Sequence, residues 1–363
     1  MPALSLREFE AEARRRLDSR VYDYFAGGTD DEITLKANEA AFARLALLPR
    51  VLRGGKAPDL AVALLGSTAS LPVLIAPTAF HRLAHSDGEC ATAEGAAAAE
   101  TIMIVSMAST VAIEEVAAAA RKAAAGTGAN LWFQLYIQPD LGFTEAIVRR
   151  AEAAGCKALV VTVDSPVFGH GARDLHNEFV DLPAGLCCEN LREPSARGQP
   201  GRVRPIVFSP ELSWEHIDWL RRLTTLPVVL KGITHPEDAR LALDRGVDAL
   251  VVSNHGGRQL DTVPATIECL PAIADTVCGK LPLVLDGGIR RGGDIVKALA
   301  LGATAVAVGR PVLWGLAAAG ADGVRQVLEI LRSELARALA LCGCSSPRDV
   351  NRDLVSLRRW EER

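Results

Sequence analysis

The sequence lacks the features that indicate a nucleic-acid-binding or membrane-spanning protein. With 40 basic and 44 acidic residues its formal net charge is −4, so it has no excess of positive charge with which to bind a phosphate backbone. No apolar run approaches the ~18 residues that a membrane-spanning helix needs, and residues 1–10 lack the apolar core of a signal peptide. We therefore expect neither nucleic acid nor a membrane as a partner.

The sequence also lacks the spacings that indicate a disulfide framework or a metal site. Its eight cysteines are scattered and include no CxxC pair, which favours reduced thiols and a cytoplasmic location. His81 and His85 have HxxxH spacing, but zinc needs further ligands and no third one is evident. We therefore expect no metal.

Short apolar segments that are rich in β-branched residues recur along the chain and predict buried parallel strands. Most are separated by Ala-, Glu- and Arg-rich stretches with helical spacing, such as HPEDARLALDRG. The eight segments are LPVLIAP (71–77), TIMIVS (101–106), LWFQLYI (131–137), ALVVTVD (158–164), LPVVLKG (226–232), ALVVSN (249–254), LPLVLDGG (281–288) and AVAVGR (305–310).

Eight strand–helix units favour an α/β fold of one domain over residues 1–363, with a (β/α)8 barrel, or TIM barrel, at 71–363. A doubly wound open sheet is the alternative, but no GxGxxG motif follows an early strand. Residues 1–70 would then form an N-terminal helical cap. The interval 165–225, after the fourth strand, is too long for one crossover helix and lacks periodicity, so we predict a lid loop over the active face.

Polar residues follow nearly every predicted strand, at the end of the barrel where enzymes of this fold carry their chemistry. Gln134 and Tyr136 are two residues apart and therefore point to one side of their strand, and Thr162 and Asp164 repeat this pattern. Other strand ends carry Pro77, Thr78, Ala79, Ser106, Lys231, Ser253, His255, Arg258 and Asp286.

Glycines and arginines follow the last two strands, where barrels usually bind phosphate. Gly287 and Gly288 follow the seventh strand and Gly309 the eighth, so backbone N–H groups can approach an anion without an intervening Cβ. Arg290 and Arg310 add positive charge. These residues predict a phosphate-bearing cofactor. Given such a cofactor, we interpret Lys231 as a cation beside its electron-rich part rather than as a solvated loop lysine.

The sequence resembles the FMN-dependent 2-hydroxy acid oxidases and dehydrogenases, a family that includes glycolate oxidase, lactate oxidase and mandelate dehydrogenase. The similarity covers essentially the whole chain, and SNHGGRQLD is the segment most specific to the family. The similar segments are VYDYFAGGTDDEITL (21–35), IAPTAF (75–80), WFQLY (132–136), VTVDSP (161–166), LKGI (230–233), SNHGGRQLD (253–261), DGGIRRGGD (286–294) and ALALGATAVAVGRP (298–311).

The resemblance implies FMN as the cofactor and a homotetramer as the assembly. It also implies which residues hold FMN. The flavin and its ribityl chain would contact the backbone of Pro77, Thr78 and Ala79 together with Ser106, Gln134, Thr162, Lys231 and Ser253. The phosphate would lie against Asp286, Gly287, Gly288, Arg290, Gly309 and Arg310.

By the same resemblance His255 is the catalytic base and Asp164 its carboxylate partner. Oxidation at a carbon that bears a hydroxyl requires a base for one proton, and a carboxylate stabilises the resulting imidazolium. Arg258 would pair with the substrate carboxylate, which an arginine binds in bidentate fashion. Tyr24 and Tyr136 would bind the substrate hydroxyl and carboxylate.

Two positions depart from the family pattern. Gly171 stands where glycolate oxidase-like proteins have a second substrate-binding arginine, although Arg173 is nearby, and Ala108 stands where they have a bulky tryptophan. We therefore expect a wider and less cationic site, which suits an (S)-2-hydroxy acid with a bulky or aromatic side chain, similar to mandelate. The product would be the 2-oxo acid, and O2 or another acceptor would take the electrons.

Two alternatives remain open at this point. The flavin could serve an oxidative decarboxylation or the oxidation of a hydroxyl on a larger molecule. The barrel could also bind flavin without turnover, although the intact His255, Asp164 and Arg258 argue against this.

Overall fold

The computed structural model describes residues 5–53, 57–124, 129–179, 181–193 and 201–357. Residues 180 and 194–200 of the predicted lid therefore lie outside the described residues, as do both ends of the chain. Within the described residues, no helix combines the length and the apolar character that crossing a membrane requires.

The segment before the barrel is partly helical and partly extended. Its helices are α1 (Leu6–Arg16), α2 (Ser19–Ala26) and α3 (Ile33–Ala43). Its strands are β1 (Leu45–Leu47), β2 (Val62–Leu64) and β3 (Ser67–Ala69). The predicted N-terminal cap over 1–70 thus contains three helices, together with three strands that the sequence did not predict, because these strands have only three residues each and show no alternation long enough to detect.

Eight parallel strands form a closed barrel, which confirms the predicted fold class. They are β4 (Val73–Ile75), β5 (Met103–Ser106), β6 (Leu131–Leu135), β7 (Leu159–Thr162), β8 (Val228–Ile233), β9 (Ala249–Val252), β10 (Leu283–Asp286) and β11 (Ala305–Val308). They neighbour one another in chain order, and β11 closes the ring by pairing with β4.

The barrel interior is filled by side chains that alternate along each strand. Every strand contributes at least one buried residue to this inner cluster, to which Leu64 and Ala69 of the β2–β3 hairpin also belong. Trp132 Nε1 donates to Ser67 Oγ of the hairpin at 3.3 Å. The hairpin therefore closes one end of the barrel and leaves the other end for the site. One layer of this cluster consists of Leu74, Ile104, Trp132, Val160, Val229, Val251, Val284 and Ala305.

Helices surround the barrel and bury their apolar faces against it. α6 illustrates the local signals, since its N-cap Asp140 accepts from Phe143 N at 3.1 Å and Gly155 ends it with a φ of 88°. The helices after the cap are α4 (Gly88–Ala98), α5 (Ile113–Ala123), α6 (Leu141–Ala154), α7 (Ala172–His176), α8 (Trp214–Leu223), α9 (Pro236–Asp244), α10 (Thr266–Val277), α11 (Gly292–Ala300) and α12 (Arg310–Leu341). α12 is kinked at Ala319 and Gly320. The last strand, β12 (Val355–Leu357), pairs with β1.

The lid loop ends earlier than the predicted range 165–225, and part of it has regular secondary structure. α8 is the crossover helix between β7 and β8, and it buries Ile217 and Leu220. Its apolar residues Trp214, Ile217, Leu220 and Leu223 do recur at helical spacing, but the preceding Pro-, Gly- and Arg-rich sequence obscures this pattern. The short helix α7 and a 3₁₀ turn at Glu189–Leu191 lie within the remaining lid.

Candidate active site

A ring of side chains forms the floor of the open end of the barrel. Each member lies two residues after one of the inner-cluster residues, so the alternation of the strand points it to the same side. The ring consists of Ala76, Ser106, Gln134, Thr162, Lys231, Ser253, Asp286 and Ala307. Six of the eight are the polar residues that the strand ends predicted.

Hydrogen bonds fix these polar side chains to one another. Ser106 Oγ donates to Gln134 Oε1 at 3.1 Å, and Gln134 Nε2 donates to Thr162 Oγ1 at 3.1 Å. Lys231 Nζ donates to Ser253 Oγ at 3.1 Å and lies 3.6 Å from Asp286 Oδ2. Lys231 is only 3% exposed, so it is not the solvated loop lysine of the alternative interpretation.

A cavity of about 880 Å³ stands on this ring, within the range of cofactor and substrate sites. Asp164, Ser253 and Gly171 are the predicted site residues that do not line it. Those that do are Tyr24, Pro77, Thr78, Ala79, Ser106, Ala108, Gln134, Tyr136, Thr162, Lys231, His255, Arg258, Asp286, Gly287, Gly288, Arg290, Gly309 and Arg310.

His255 and Asp164 form a pair at the cavity. His255 Nδ1 lies 3.1 Å from Asp164 Oδ1, and the two side chains are 22% and 13% exposed. Burial disfavours the charged form of Asp164. His255, and to a lesser extent the charge of Lys231, outweigh this effect of burial and hold the pKa of Asp164 below its usual value. His255 has a φ of 60°, a strained conformation that is common at functional sites. The pair leaves the other ring nitrogen, Nε2, available to a ligand.

Two tyrosines line the same cavity in their neutral form. Burial raises the pKa of Tyr24 to about 12, although Arg258 opposes the shift. Burial also raises the pKa of Tyr136, and Asp164 adds to the rise. Both hydroxyls therefore keep their protons at neutral pH and can donate hydrogen bonds.

Arg258 and Arg310 bind backbone carbonyls at the end of α2 and in the turn that leads to α3, next to the cavity. Arg258 Nη1 donates to the carbonyl oxygens of Tyr24 at 2.7 Å and Gly27 at 3.1 Å, and its guanidinium lies 4.9 Å from the Tyr24 ring centre. Arg310 donates to the carbonyls of Gly27 at 2.6 Å and Phe25 at 3.0 Å. The side chain of Arg310 therefore serves mainly to hold this turn.

The predicted phosphate end combines glycines in left-handed conformations with buried positive charge. Gly287 and Gly288 have φ values of 96° and 82°, and a Cβ at Gly288 would lie 2.0 Å from the carbonyl oxygen of Asn38. Burial, followed by the charges of Arg258 and Arg290, lowers the pKa of Arg310 to about 9. An anion bound at this end would offset that repulsion.

The two departures from the family pattern occupy different places. Ala108 lines the cavity, as predicted, but Gly171 does not, because it is the N-cap residue of α7 and its backbone runs outside the wall. Arg173 is also outside, since it pairs with Glu32 at 2.6 Å and Asp23 at 3.3 Å. Of the two predicted substrate-site positions, Ala108 therefore lies on the cavity wall and Gly171 does not.

Sequence reasoning missed the lid side of the cavity. Phe80, Phe168, Phe179 and Phe208 line it, with ring centres 4.9 Å apart for Tyr24 and Phe179 and for Tyr136 and Phe208. Asp174 of α7 also lines it. All but Phe80, which follows β4, come from the predicted lid, a segment without periodicity, so the only signal in the sequence was the density of phenylalanines there.

The residues of the cavity fit FMN. Its floor is a buried row of hydrogen-bonding side chains, and one buried oxygen of Asp286, Oδ1, has no partner among the described residues, as expected for a group that bonds a polyol chain. At one end, the glycine backbone and the positive charge of Arg290 and Arg310 suit a phosphate. The buried cation Lys231 suits an electron-rich ring.

Comparison with known proteins agrees with this fit. The family model described as FMN-dependent dehydrogenase matches residues 13–357. An L-lactate oxidase of Nostoc sp. is 48% identical over 98% of each chain, and human 2-hydroxyacid oxidase 1 is 44% identical over 97% of this chain and 96% of its own. Mandelate oxidase solved with 3,3-difluoro-2-hydroxy-3-phenylpropionic acid superposes with a TM-score of 0.89 at 43% identity, over 98% of this chain and 100% of that one. The chain therefore belongs to the family of FMN-dependent 2-hydroxy acid oxidases.

Proposed function

We propose that this enzyme oxidises (S)-2-hydroxy acids with bulky or aromatic side chains to the corresponding 2-oxo acids. The observation that carries the proposal is the convergence of His255, Arg258 and two neutral tyrosines on one cavity that is also lined by several phenylalanines and by Ala108. Solved complexes of the similar mandelate oxidase contain phenyl-bearing acids, which supports the same substrate class here.

The proposed roles follow from the contacts of each side chain. FMN, when bound, accepts the two electrons removed from the substrate carbon. His255 takes the proton at Nε2 while Asp164, bonded to Nδ1, stabilises the imidazolium. Arg258 binds the substrate carboxylate through guanidinium N–H groups other than those of Nη1, which hold the backbone. Tyr24 and Tyr136 donate hydrogen bonds that orient the acid.

We assign the binding of FMN to the floor of the cavity and to the ends of β10 and β11, which carry the glycines. Gln134, Thr162, Lys231 and Asp286 would contact the flavin and its polyol chain, and Ser253 would act by fixing the Lys231 ammonium group. The backbones of Pro77, Thr78 and Ala79 would lie along one edge, with Ser106 beside them. Gly287, Gly288, Arg290, Gly309 and the backbone of Arg310 would surround the phosphate.

Anaerobic flavin bleaching with a graded panel of acids tests the substrate class. We expect (S)-mandelate and other bulky 2-hydroxy acids to reduce the flavin with higher kcat/KM than glycolate. Burial of apolar surface contributes ~25 cal/mol per Å², which glycolate cannot gain. Efficient turnover of glycolate with rejection of mandelate would refute the proposal. Product analysis separates the proposal from the two alternatives. Oxidative decarboxylation would yield a shortened acid. An enzyme that acts on a hydroxyl of a larger molecule would yield neither the 2-oxo acid nor the shortened acid from this panel.

Gly288→Ala should purify with little or no FMN. The added Cβ would meet a backbone oxygen at 2.0 Å and would strain a φ of 82°, so the phosphate loop must move. Gly293→Ala is the control, because its Cβ would meet only Leu47 at 3.9 Å in a helical segment. The ratio of flavin to protein absorbance measures the effect, and circular dichroism checks the fold. Normal FMN content in Gly288→Ala would contradict the assignment of this loop.

The remaining parts of the proposal come from the sequence alone. They are O2 or another molecule as the electron acceptor, a cytoplasmic location and a homotetrameric assembly. Re-oxidation of the bleached flavin in air tests the first, and light scattering of the purified protein tests the last.

A further inference from the structure

One carboxylate lines the substrate end of the cavity without a partner. Asp174 is half-buried in α7, and in the part of the chain that the structure describes no hydrogen bond or ion pair reaches its side chain. Its charge interacts with that of Arg258 and contributes to the raised pKa of Tyr24, which places it beside the groups assigned to the substrate. Burial raises the pKa of Asp174, and Asp23 adds to the rise.

The cations near Asp174 are engaged elsewhere. Arg173, the adjacent residue, is paired with Glu32 and Asp23. Arg258 uses Nη1 to hold the carbonyls of the α2–α3 turn. A half-buried carboxylate that lacks a donor gains free energy from any ligand that brings one.

The Asp174 carboxylate can occupy its position because residue 171 is a glycine. A Cβ at Gly171 would lie 2.5 Å from Asp174 Oδ2, which is closer than a carbon and an oxygen can approach. Any side chain at 171 would therefore displace the Asp174 carboxylate. The glycine thus affects the cavity through Asp174, although Gly171 itself lies outside the wall.

The walls next to Asp174 suit a ring. The Tyr24 ring stacks on Phe80 with centres 5.5 Å apart and lies 4.9 Å from Phe179, and all three line the cavity. Rings in such contacts bind a further aromatic group by burial and by edge or face packing. The Asp174 carboxylate and the Arg258 guanidinium are the charged groups beside these rings.

We propose that Asp174 selects aromatic 2-hydroxy acids whose ring carries a hydrogen-bond donor, such as a phenolic hydroxyl. The inference rests on the proposed function and specifies its substrate. The donor would bond to the Asp174 carboxylate while Arg258 holds the acid group. A substrate whose ring carries a methyl group in the same place would leave the carboxylate buried and unpaired.

The test compares matched pairs of substrates on the FMN-loaded enzyme at neutral pH. We expect kcat/KM for 3- or 4-hydroxymandelate to exceed that for the corresponding methylmandelate by about 10-fold or more, since a hydrogen bond to a charged group changes affinity by this factor. An ordinary apolar pocket would favour the methyl compound instead. In Asp174→Leu the preference should disappear or reverse, and in Asp174→Asn it should shrink.

Two further variants separate this effect from a general disturbance of the lid. Asp181→Asn removes the other lid carboxylate on the cavity wall and should keep the hydroxyl-to-methyl ratio of the wild type. Gly171→Ala should lower the hydroxyl-to-methyl ratio because it displaces the Asp174 carboxylate without changing residue 174 itself. This variant provides the test if the Asp174 variants do not retain FMN. Dissociation constants of hydroxy- and methyl-substituted benzoylformates, measured from the flavin spectrum, should show the same ratios without turnover.

The outcomes distinguish this inference from the proposed function. If mandelates reduce the flavin but the hydroxyl-to-methyl ratio is near one in the wild type, or is unchanged in Asp174→Leu, the role of Asp174 is refuted and the proposed function stands. If no mandelate reduces the flavin while glycolate does, the proposed function itself fails.

Discussion

His255→Asn should retain FMN and reduce its flavin about 10²–10⁴-fold more slowly with the best substrate, the range that general-base catalysis contributes. Asparagine suits the test because it tolerates the left-handed conformation of residue 255, where φ is 60°, better than alanine does. The change removes the base at Nε2 but leaves the floor of the cavity intact, because the side chains proposed to contact FMN there, Gln134, Thr162, Lys231 and Asp286, belong to other strand ends. Stopped-flow absorbance under anaerobic conditions measures the rate.

The matched control for this prediction is His235→Asn. His235 is the N-cap residue of α9, its ring accepts from Glu237 N at 3.1 Å, and asparagine is a good N-cap that preserves this bond. His235 does not line the cavity, so the control should reduce its flavin at the wild-type rate. A His255→Asn enzyme that is as fast as the control would show that another group accepts the proton.

The barrel and the floor of the site could be predicted from the sequence because both follow from the period of a strand. Once Val160 is placed inside the barrel, Thr162 must lie on the same side, and the same holds for Val284 and Asp286. Buried parallel strands also produce apolar runs that stand out from their surroundings. Eight such runs fix the register of the floor without any knowledge of the loops.

The lid could not be predicted in the same way. The positions of Phe168 and Asp174 depend on contacts between segments far apart in sequence, such as the pairing of Arg173 with Glu32. No local period reports such contacts. For the same reason the sequence showed that Gly171 departs from the family pattern but predicted only the loss of an arginine contact with the substrate. In the structure, Gly171 affects the space around Asp174.

Arg258→Met should raise the dissociation constant of a 2-hydroxy acid or its 2-oxo product by roughly 10–150-fold. A hydrogen bond between charged groups contributes about 1.5–3 kcal/mol, which corresponds to this factor. Arg258→Lys should fall between methionine and the wild type, because lysine keeps the charge but not the planar pair of donors. Titration of the flavin spectrum with benzoylformate measures the constants directly.

Arg258 also holds the carbonyls of Tyr24 and Gly27, so a structural effect must be separated from the loss of charge. Benzoylformamide serves this purpose, because it has the same ring without a carboxylate. If Arg258 binds the acid group, Arg258→Met should weaken benzoylformate much more than the amide. Equal weakening of both ligands would instead assign Arg258 to the support of the α2–α3 turn.

Arg173→Met is the control that decides which arginine the acid uses. Arg173 stands two residues from the position where the family pattern has its second cation, but it pairs with Asp23 and Glu32 outside the cavity. Removing it should therefore leave the dissociation constant of benzoylformate within about threefold of the wild type, the change expected when a partly exposed ion pair worth under ~1 kcal/mol is lost. A rise as steep as that of Arg258→Met would mean that the lid rearranges when the acid binds and brings Arg173 to the carboxylate.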